Sequence, residues 1–206
     1  MKTKIKDEIL ETAKKLFNQQ GYDAVSMRDI AKELGISVGN LTYHYPKKTD
    51  IVLALMTQTR YPEMQNQNIQ TFEDLDLYIR RLLRSVIDHF FYFQNVGHFM
   101  SESALKESEL TNSIIVRENF LLGLDHLIAG GYFVEIFTSE LAHTLGNFIM
   151  LSHYNWAQYT LLNDRDVDEA VETFTQDHWK ILAPYFSEQG KREYAALTES
   201  KTQCVT

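Results

Sequence analysis

Residues 26–48 constrain the fold more than any other stretch, because their pattern is that of two short helices joined by a tight turn. Ser26 stands at an N-cap position, and Asp29, three residues later, completes a capping pattern for the first helix. Gly35 ends that helix with the residue that most readily adopts a left-handed backbone. Ser37 can then cap a second short helix. The pattern predicts a helix-turn-helix, with an ordinary pair of antiparallel helices as the alternative interpretation.

The first turn of the second helix carries small and polar side chains. In a helix-turn-helix, this helix enters the DNA major groove and its first residues meet the base edges. An asparagine can pair with adenine, a valine can contact a thymine methyl group, and a glycine permits close approach of the backbone. The sequence therefore predicts base contacts from four residues: Ser37, Val38, Gly39 and Asn40.

Several further motifs around this segment agree in order and spacing. They are Leu16-Phe17 with Gly21-Tyr22, Ser26 through Ala31, Leu34 through Ser37, Gly39 through Leu41, and His44 through Lys48. With these motifs, about residues 5–56 resemble the DNA-binding domain of the TetR family of bacterial transcriptional regulators. The sequence departs from the family at Thr42, where the family usually carries a phosphate-contacting tyrosine; Tyr43 beside it can compensate.

The resemblance implies further contacts with DNA. It places a guanine contact at Arg28, at the start of the supporting helix. Lys48 lies in the first turn of the next helix, where an ammonium and free backbone N–H groups suit a phosphate. The residues expected at phosphates are Ser26, Thr42, Tyr43, His44 and Lys48.

Composition and periodicity predict an all-α protein in a reducing compartment. The 206 residues include only three prolines and nine glycines, and 44% are hydrophobic, enough for a substantial core. No apolar run approaches the roughly 20 residues of a membrane span, and no apolar segment follows the lysine-rich N-terminus. The single cysteine, Cys204, cannot form an internal disulfide. We therefore expect a cytoplasmic protein with no membrane segment.

The net charge of −8 is unevenly distributed. Residues 1–60 hold ten lysines and arginines against seven acidic residues, a net charge of +3, whereas residues 61–206 carry −11. Phosphate contacts need local positive charge, and an acidic body discourages other surfaces from binding nucleic acid. This distribution permits DNA binding by the N-terminal part.

The remainder of the chain predicts a larger helical body. The domains expected are a helix-turn-helix domain at 1–47, a linking helix and boundary at 48–70, a ligand-binding and dimerisation domain at 71–189, and a frayed polar tail at 190–206. The helices expected are 3–20, 48–60, 71–96, 112–129, 138–162 and 166–183. The last two are more apolar than a small domain buries, and in the resembled family they pair across a twofold axis. The interface residues expected are Phe148, Ser152, Phe174, His178 and Ile181.

Aromatic residues in the body predict a ligand pocket, with plain core packing as the alternative. Pockets are mostly apolar with a few placed polar groups, and the residues expected to line one are His89, Phe90, Phe93, Phe99, Phe120, His153, Trp156 and Tyr159. Neither paired metal-binding histidines nor a catalytic motif is present, although His143 could meet His153 in space. We expect no cofactor, no metal and no enzymatic activity.

These features together predict a homodimeric repressor. It binds a palindromic double-stranded operator and is released by a small apolar or aromatic effector. An activator, a ligand-independent regulator, and a helical enzyme or adaptor without DNA binding remain alternatives.

Overall fold

The computed structural model describes residues 2–60, 68–163 and 165–203, and they are helical almost throughout. No strand forms within these ranges; one isolated antiparallel bridge pairs Phe133 with Phe186. None of the described helices is long and apolar enough to cross a bilayer. The helices are α1 (Lys2–Gln20), α2 (Met27–Glu33), α3 (Val38–His44), α4 (Lys48–Ala54) followed by a π-helical turn (Leu55–Arg60), α5 (Phe72–Asp88), α6 (Phe90–Gln94), α7 (Val96–Phe99), α8 (Ser103–Ala129), α9 (Ser139–Leu162), α10 (Val167–Leu182) and α11 (Glu188–Gln203). The all-α prediction is confirmed.

The long helix predicted from Thr71 to Val96 is wrong beyond Asp88. A break at His89 separates α5 from α6, and α7 follows after a single residue. Because of the break, Phe91 and Phe99 both point into the same core, where both are fully buried. Periodicity alone could not show this break, because the aromatic run continues through it. Helix α8 also begins nine residues before the predicted start at 112. The predicted linking helix and boundary at 48–70 lies partly outside the described residues.

The chain forms two compact units, one from residues 1–63 with 85–113 and the other from 64–84 with 114–206. In the first, the ring of Phe17 packs on Phe91 at 5.1 Å between centroids, and Tyr22 packs on Phe99 at 4.8 Å. Residues 85–113, which we assigned to the body, therefore complete the core around α1 in the structure.

Phe72, at the start of α5, lies at the centre of an aromatic cluster in the second unit. Its ring packs within 6 Å of Tyr132, Phe133, Trp179 and Phe186. The predicted frayed tail is a helix, α11, because its Tyr194 packs on the same cluster, 5.3 Å from Trp179 and 5.4 Å from Phe186. The expectation of a frayed extension at 190–206 is therefore wrong as far as Gln203.

Candidate nucleic-acid interface

Helix α2 begins and ends as its sequence predicts. The Ser26 hydroxyl accepts a hydrogen bond from the backbone N–H of Asp29 at 3.3 Å, and the Asp29 carboxylate accepts from the backbone N–H of Ser26 at 2.8 Å. The hydrogen bond from the Ser26 hydroxyl, with a second from its backbone, holds the pKa of Asp29 below its ordinary value. At the other end Gly35 adopts a φ of +66°, and the N–H of Ile36 bonds the carbonyl of Ala31 at 3.0 Å. This turn fixes the direction in which α3 leaves α2.

Helix α3 presents its first turn to solvent. The Ser37 hydroxyl accepts from the N–H of Asn40 at 3.1 Å, and Leu41 is fully buried beneath the helix. An added Cβ on Gly39 would meet only the Ser37 hydroxyl, at 3.9 Å, so the surface above this residue is open. All five residues expected at base edges are exposed: Arg28, Ser37, Val38, Gly39 and Asn40.

The residues expected at phosphates differ in their exposure and in the hydrogen bonds that they already make. Tyr43 is 72% exposed and stands edge-on to His44, with 5.2 Å between ring centroids. The Thr42 hydroxyl donates to the carbonyl of Gly39 at 3.2 Å and keeps its lone pairs for a further donor. The Ser26 hydroxyl donates to the Asp29 carboxylate within the cap. Tyr43 and His44 are therefore the best placed of these side chains to meet a phosphate.

Lys48 has a different place from the one expected. Its ammonium donates to the carbonyls of Tyr22 at 2.8 Å and Val25 at 2.9 Å, and lies 3.8 Å from the centre of the Tyr22 ring. Burial lowers the pKa of Lys48. The side chain is directed inward because these carbonyls, just before α2, lie within reach of the start of α4. We correct the assignment of Lys48 from a phosphate contact to a structural contact that binds residues 22–25 to the start of α4.

Comparison with known proteins agrees with this geometry. Residues 9–55 match the family described as bacterial regulatory proteins, tetR family. Over 90 residues the chain is 31% identical to the HTH-type transcriptional regulator SAR2658 of Staphylococcus aureus (strain MRSA252), a match covering 41% of this chain and 49% of that protein. Residues 9–55, which include α2 and α3, are therefore similar to the N-terminal region of the TetR family.

Other relatives extend the match along the chain. YttP of Bacillus subtilis (strain 168) is 26% identical over 136 residues, which cover 60% of this chain and 64% of that protein. A TetR-family transcriptional regulator from Marinobacter aquaeolei VT8 shares the fold, with a TM-score of 0.79 at 20% identity over 95% of this chain and 97% of that one. The aligned regions thus span about half to two thirds of the length of the two curated relatives. The fold of the Marinobacter protein matches almost the whole chain.

The eight residues expected to line one pocket lie in two different units of the chain. Phe99, fully buried in the first unit, stacks on Tyr92 at 5.0 Å. Phe120, fully buried in the second, stacks on Tyr78 at 6.0 Å. These two are core residues, because their rings are used in packing, and the pocket assignment is corrected for both. The first unit holds His89, Phe90, Phe93 and Phe99, and the second holds Phe120, His153, Trp156 and Tyr159.

Two of the eight line a cleft between α9 and α10. The cleft measures about 450 Å³ and includes Trp156 and Tyr159. The Trp156 ring stacks on Phe174, with 5.1 Å between centroids and 6° between planes. Arg165 and Asp177 bring one charge of each sign to the lining. A flat aromatic surface with a few polar groups suits a small aromatic molecule.

The five residues expected at a dimer interface meet in one groove between the same helices. All of them line a cavity of about 280 Å³. Phe148 is 69% exposed and Ile181 46% exposed, although both are large apolar side chains. Leu151, on the same helix as Phe148, is 72% exposed. We call these exposed apolar side chains with the groove the α9–α10 face.

A buried histidine pair lies beside this groove, and the sequence did not reveal it. The Nε2 atoms of His153 and His178 are 3.0 Å apart, and the Nδ1 of His178 bonds the carbonyl of Phe174. Burial lowers the pKa of both imidazoles, and the neighbouring His178 lowers the pKa of His153 further. His143 instead pairs with Asp125 at 2.9 Å, and His153 pairs with His178, so the possible pair of His143 with His153 does not form. Among the described residues no cluster of three or more metal-ligating side chains forms.

Proposed function

We propose that the protein is a sequence-specific DNA-binding transcriptional repressor that acts as a homodimer in the cytoplasm. The observation that carries this proposal is the exposed first turn of α3, capped by Ser37 and set by the cap of α2. Exposure of small and polar side chains at this turn serves no packing purpose in the chain. It provides what a helix in the major groove requires.

The roles of the exposed side chains follow from their chemistry. Arg28 suits a guanine edge and Asn40 an adenine edge, whereas Val38 suits a thymine methyl group. Tyr43 and His44 flank this surface and suit phosphates, which set the register of the helix on the duplex.

The α9–α10 face supports a homodimer. Large exposed apolar side chains on a protein surface are typical of an interface, because their burial is favourable on association. A symmetric pair formed through this face carries two DNA-binding units, and an operator with matching palindromic half-sites would engage both.

The α9–α10 cleft supports an aromatic effector. It shares Ser152, Phe174 and Asp177 with the groove of the face, so an occupant of the cleft contacts residues of the proposed interface. An effector that binds better to a dimer with mismatched half-site spacing would weaken operator binding, typically by about 1–3 kcal/mol of coupling.

Selection of random DNA duplexes by the purified protein, at two salt concentrations, tests the proposal. We expect an enriched palindrome and an affinity that falls steeply with salt. Arg28→Ala and Asn40→Ala should each lose about 1–3 kcal/mol of operator binding and relax the preference at one base position. Arg192→Ala, which removes one exposed charge from α11, is the matched control and should bind as the wild type does.

Two outcomes would contradict the proposal. Failure to enrich any sequence, with or without cell extract, would favour an adaptor or enzyme. An equal loss for Arg28→Ala and Arg192→Ala would mean that only general charge attracts DNA. The position of the enriched site relative to a promoter then separates repressor from activator.

A further inference from the structure

The side chain of Asn18, near the end of α1, completes the hydrogen bonding of the break between α5 and α6. Its Nδ2 donates to the carbonyl of Asp88 at 2.7 Å, and its Oδ1 accepts from the N–H of Phe91 at 3.0 Å. One carboxamide thus serves the last carbonyl before the break and an N–H just after it. Both groups belong to helix ends, where side chains commonly bond the backbone.

An unbroken helix would satisfy these groups without Asn18. There, the carbonyl of Asp88 would accept from the N–H of Tyr92, and the N–H of Phe91 would donate to the carbonyl of Ile87. In the structure the N–H of Tyr92 bonds the carbonyl of His89 instead, at 2.9 Å. The Asn18 carboxamide therefore replaces both helical hydrogen bonds, and it can do so only while the break exists.

A continuous set of contacts leads from this break to the start of α2. Phe17, next to Asn18, packs on Phe91 at 5.1 Å and on Tyr22 at 5.3 Å. The carbonyl of Tyr22 accepts from Lys48, which also holds Val25, the residue before the cap of α2. All of these residues belong to one compact unit.

We propose that Asn18 is a positioning residue for DNA binding, although it belongs to neither the base nor the phosphate contacts. It ties the end of α1 to the break at residues 88–91 and so fixes the setting of α2 and α3. This inference rests on the proposed function and names a residue that controls it from outside the DNA surface. By linkage, DNA that fixes α2 and α3 also favours the broken form of residues 88–91.

Asn95 provides a matched control. Its Nδ2 donates to the carbonyl of Phe91 at 2.8 Å, within the same short segment, but makes no bond to α1. Asn95→Ala and Asn18→Ala each remove a side-chain amide from the segment. Only Asn18→Ala removes the connection to the DNA-binding helices.

Two measurements test the proposal. Amide hydrogen exchange, which needs no DNA, should show faster exchange of residues 27–44 in Asn18→Ala than in Asn95→Ala. Operator affinity should fall by about fivefold or more in Asn18→Ala, the lower end of typical coupling between sites, and remain near wild type in Asn95→Ala. If Asn18→Ala does not fold, Asn18→Asp keeps the acceptor for Phe91 and places a second acceptor where the donor to Asp88 stood, and the same differences should appear.

Equal exchange in the two variants, or equal operator affinity, would overturn the positioning role. A wild-type protein that selects no operator would overturn the proposed function instead, and the exchange comparison would still decide whether Asn18 sets α2 and α3.

Discussion

Replacing Lys48 with methionine separates a structural role from a DNA-binding role for the same ammonium. Methionine keeps most of the length and apolar stem of lysine but cannot donate to the carbonyls of Tyr22 and Val25. The carbonyl of Tyr22 retains one partner, the N–H of Val25 at 3.3 Å. The carbonyl of Val25 loses the ammonium that lies 2.9 Å from it.

The magnitude follows from these contacts. A hydrogen bond to a charged group contributes about 1.5–3 kcal/mol, and a cation over an aromatic ring about 0.5–1 kcal/mol where exposed. Lys48 is only partly buried, and desolvation of its ammonium offsets part of this gain. We therefore expect Lys48→Met to lower the free energy of unfolding by about 2 kcal/mol.

Urea unfolding and salt-dependent operator binding measure the two roles separately. Lys47→Met is the control, because Lys47 is the neighbouring exposed lysine and its loss changes the net charge equally. Unfolding of Lys47→Met should match the wild type. A direct phosphate contact contributes about 0.9 to the slope of log affinity against log salt. The opposite result would be wild-type stability of Lys48→Met with a salt slope smaller by about 0.9. That result would refute the structural role of Lys48 and support a phosphate contact.

Three further variants test other parts of the structure. Gly39→Ala should raise the free energy of unfolding by up to about 1 kcal/mol, since the added methyl group meets open space and alanine favours the helix, yet lose about 1–3 kcal/mol of operator binding if the backbone approaches the bases; equal affinity would contradict close approach. Asp76→Asn should lower the free energy of unfolding in urea by about 1.5–3 kcal/mol, because this buried carboxylate accepts from Arg80 at 2.6 Å; the exposed Asp168→Asn should lose less than about 1 kcal/mol. The lowered pKa of His153 means that the unfolded chain binds protons that the folded chain excludes, so stability should be constant above pH 6.5 and fall below it. His153→Gln should flatten this pH dependence in urea unfolding, and an unchanged profile would contradict the assignment.

Local signals in the sequence predicted the helix starts well. The caps expected at Ser26 and Ser37 both form, and the helices expected to start at 138 and 166 are capped by Thr138 and Asp166. Each of the four side chains accepts from the backbone N–H three residues later. A cap depends on a few consecutive residues, and the sequence displays all of them. The same locality explains why the exposed face of α3 could be predicted residue by residue.

Features that depend on distant residues could not be predicted in this way. The inward direction of Lys48 depends on carbonyls more than twenty positions earlier, and the partner of His153 lies 25 residues later on another helix. At the break at His89, the carbonyl of Asp88 accepts a hydrogen bond from Asn18, which is 70 residues away. Each of these contacts joins residues far apart in the sequence, so it can be identified only once the fold is known. Aromatic spacing alone likewise could not separate the core rings of Phe99 and Phe120 from the rings that line the α9–α10 cleft.

The first compact unit includes residues 85–113, which lie beyond the part of the chain that matches the family. These additional residues bear on how the proposed DNA-binding helices are controlled. The family match ends at residue 55, yet Phe17 and Tyr22 in that region complete their packing on Phe91 and Phe99. The part of the chain that we propose binds DNA therefore shares its core with a segment from far along the sequence. A change at Phe91 alters the packing of α1 directly, without passing through α4. Asn18 joins the end of α1 to residues 88–91 by hydrogen bonds. Substitution of Asn18 is therefore a more informative test of regulation than substitution in the linking helix alone.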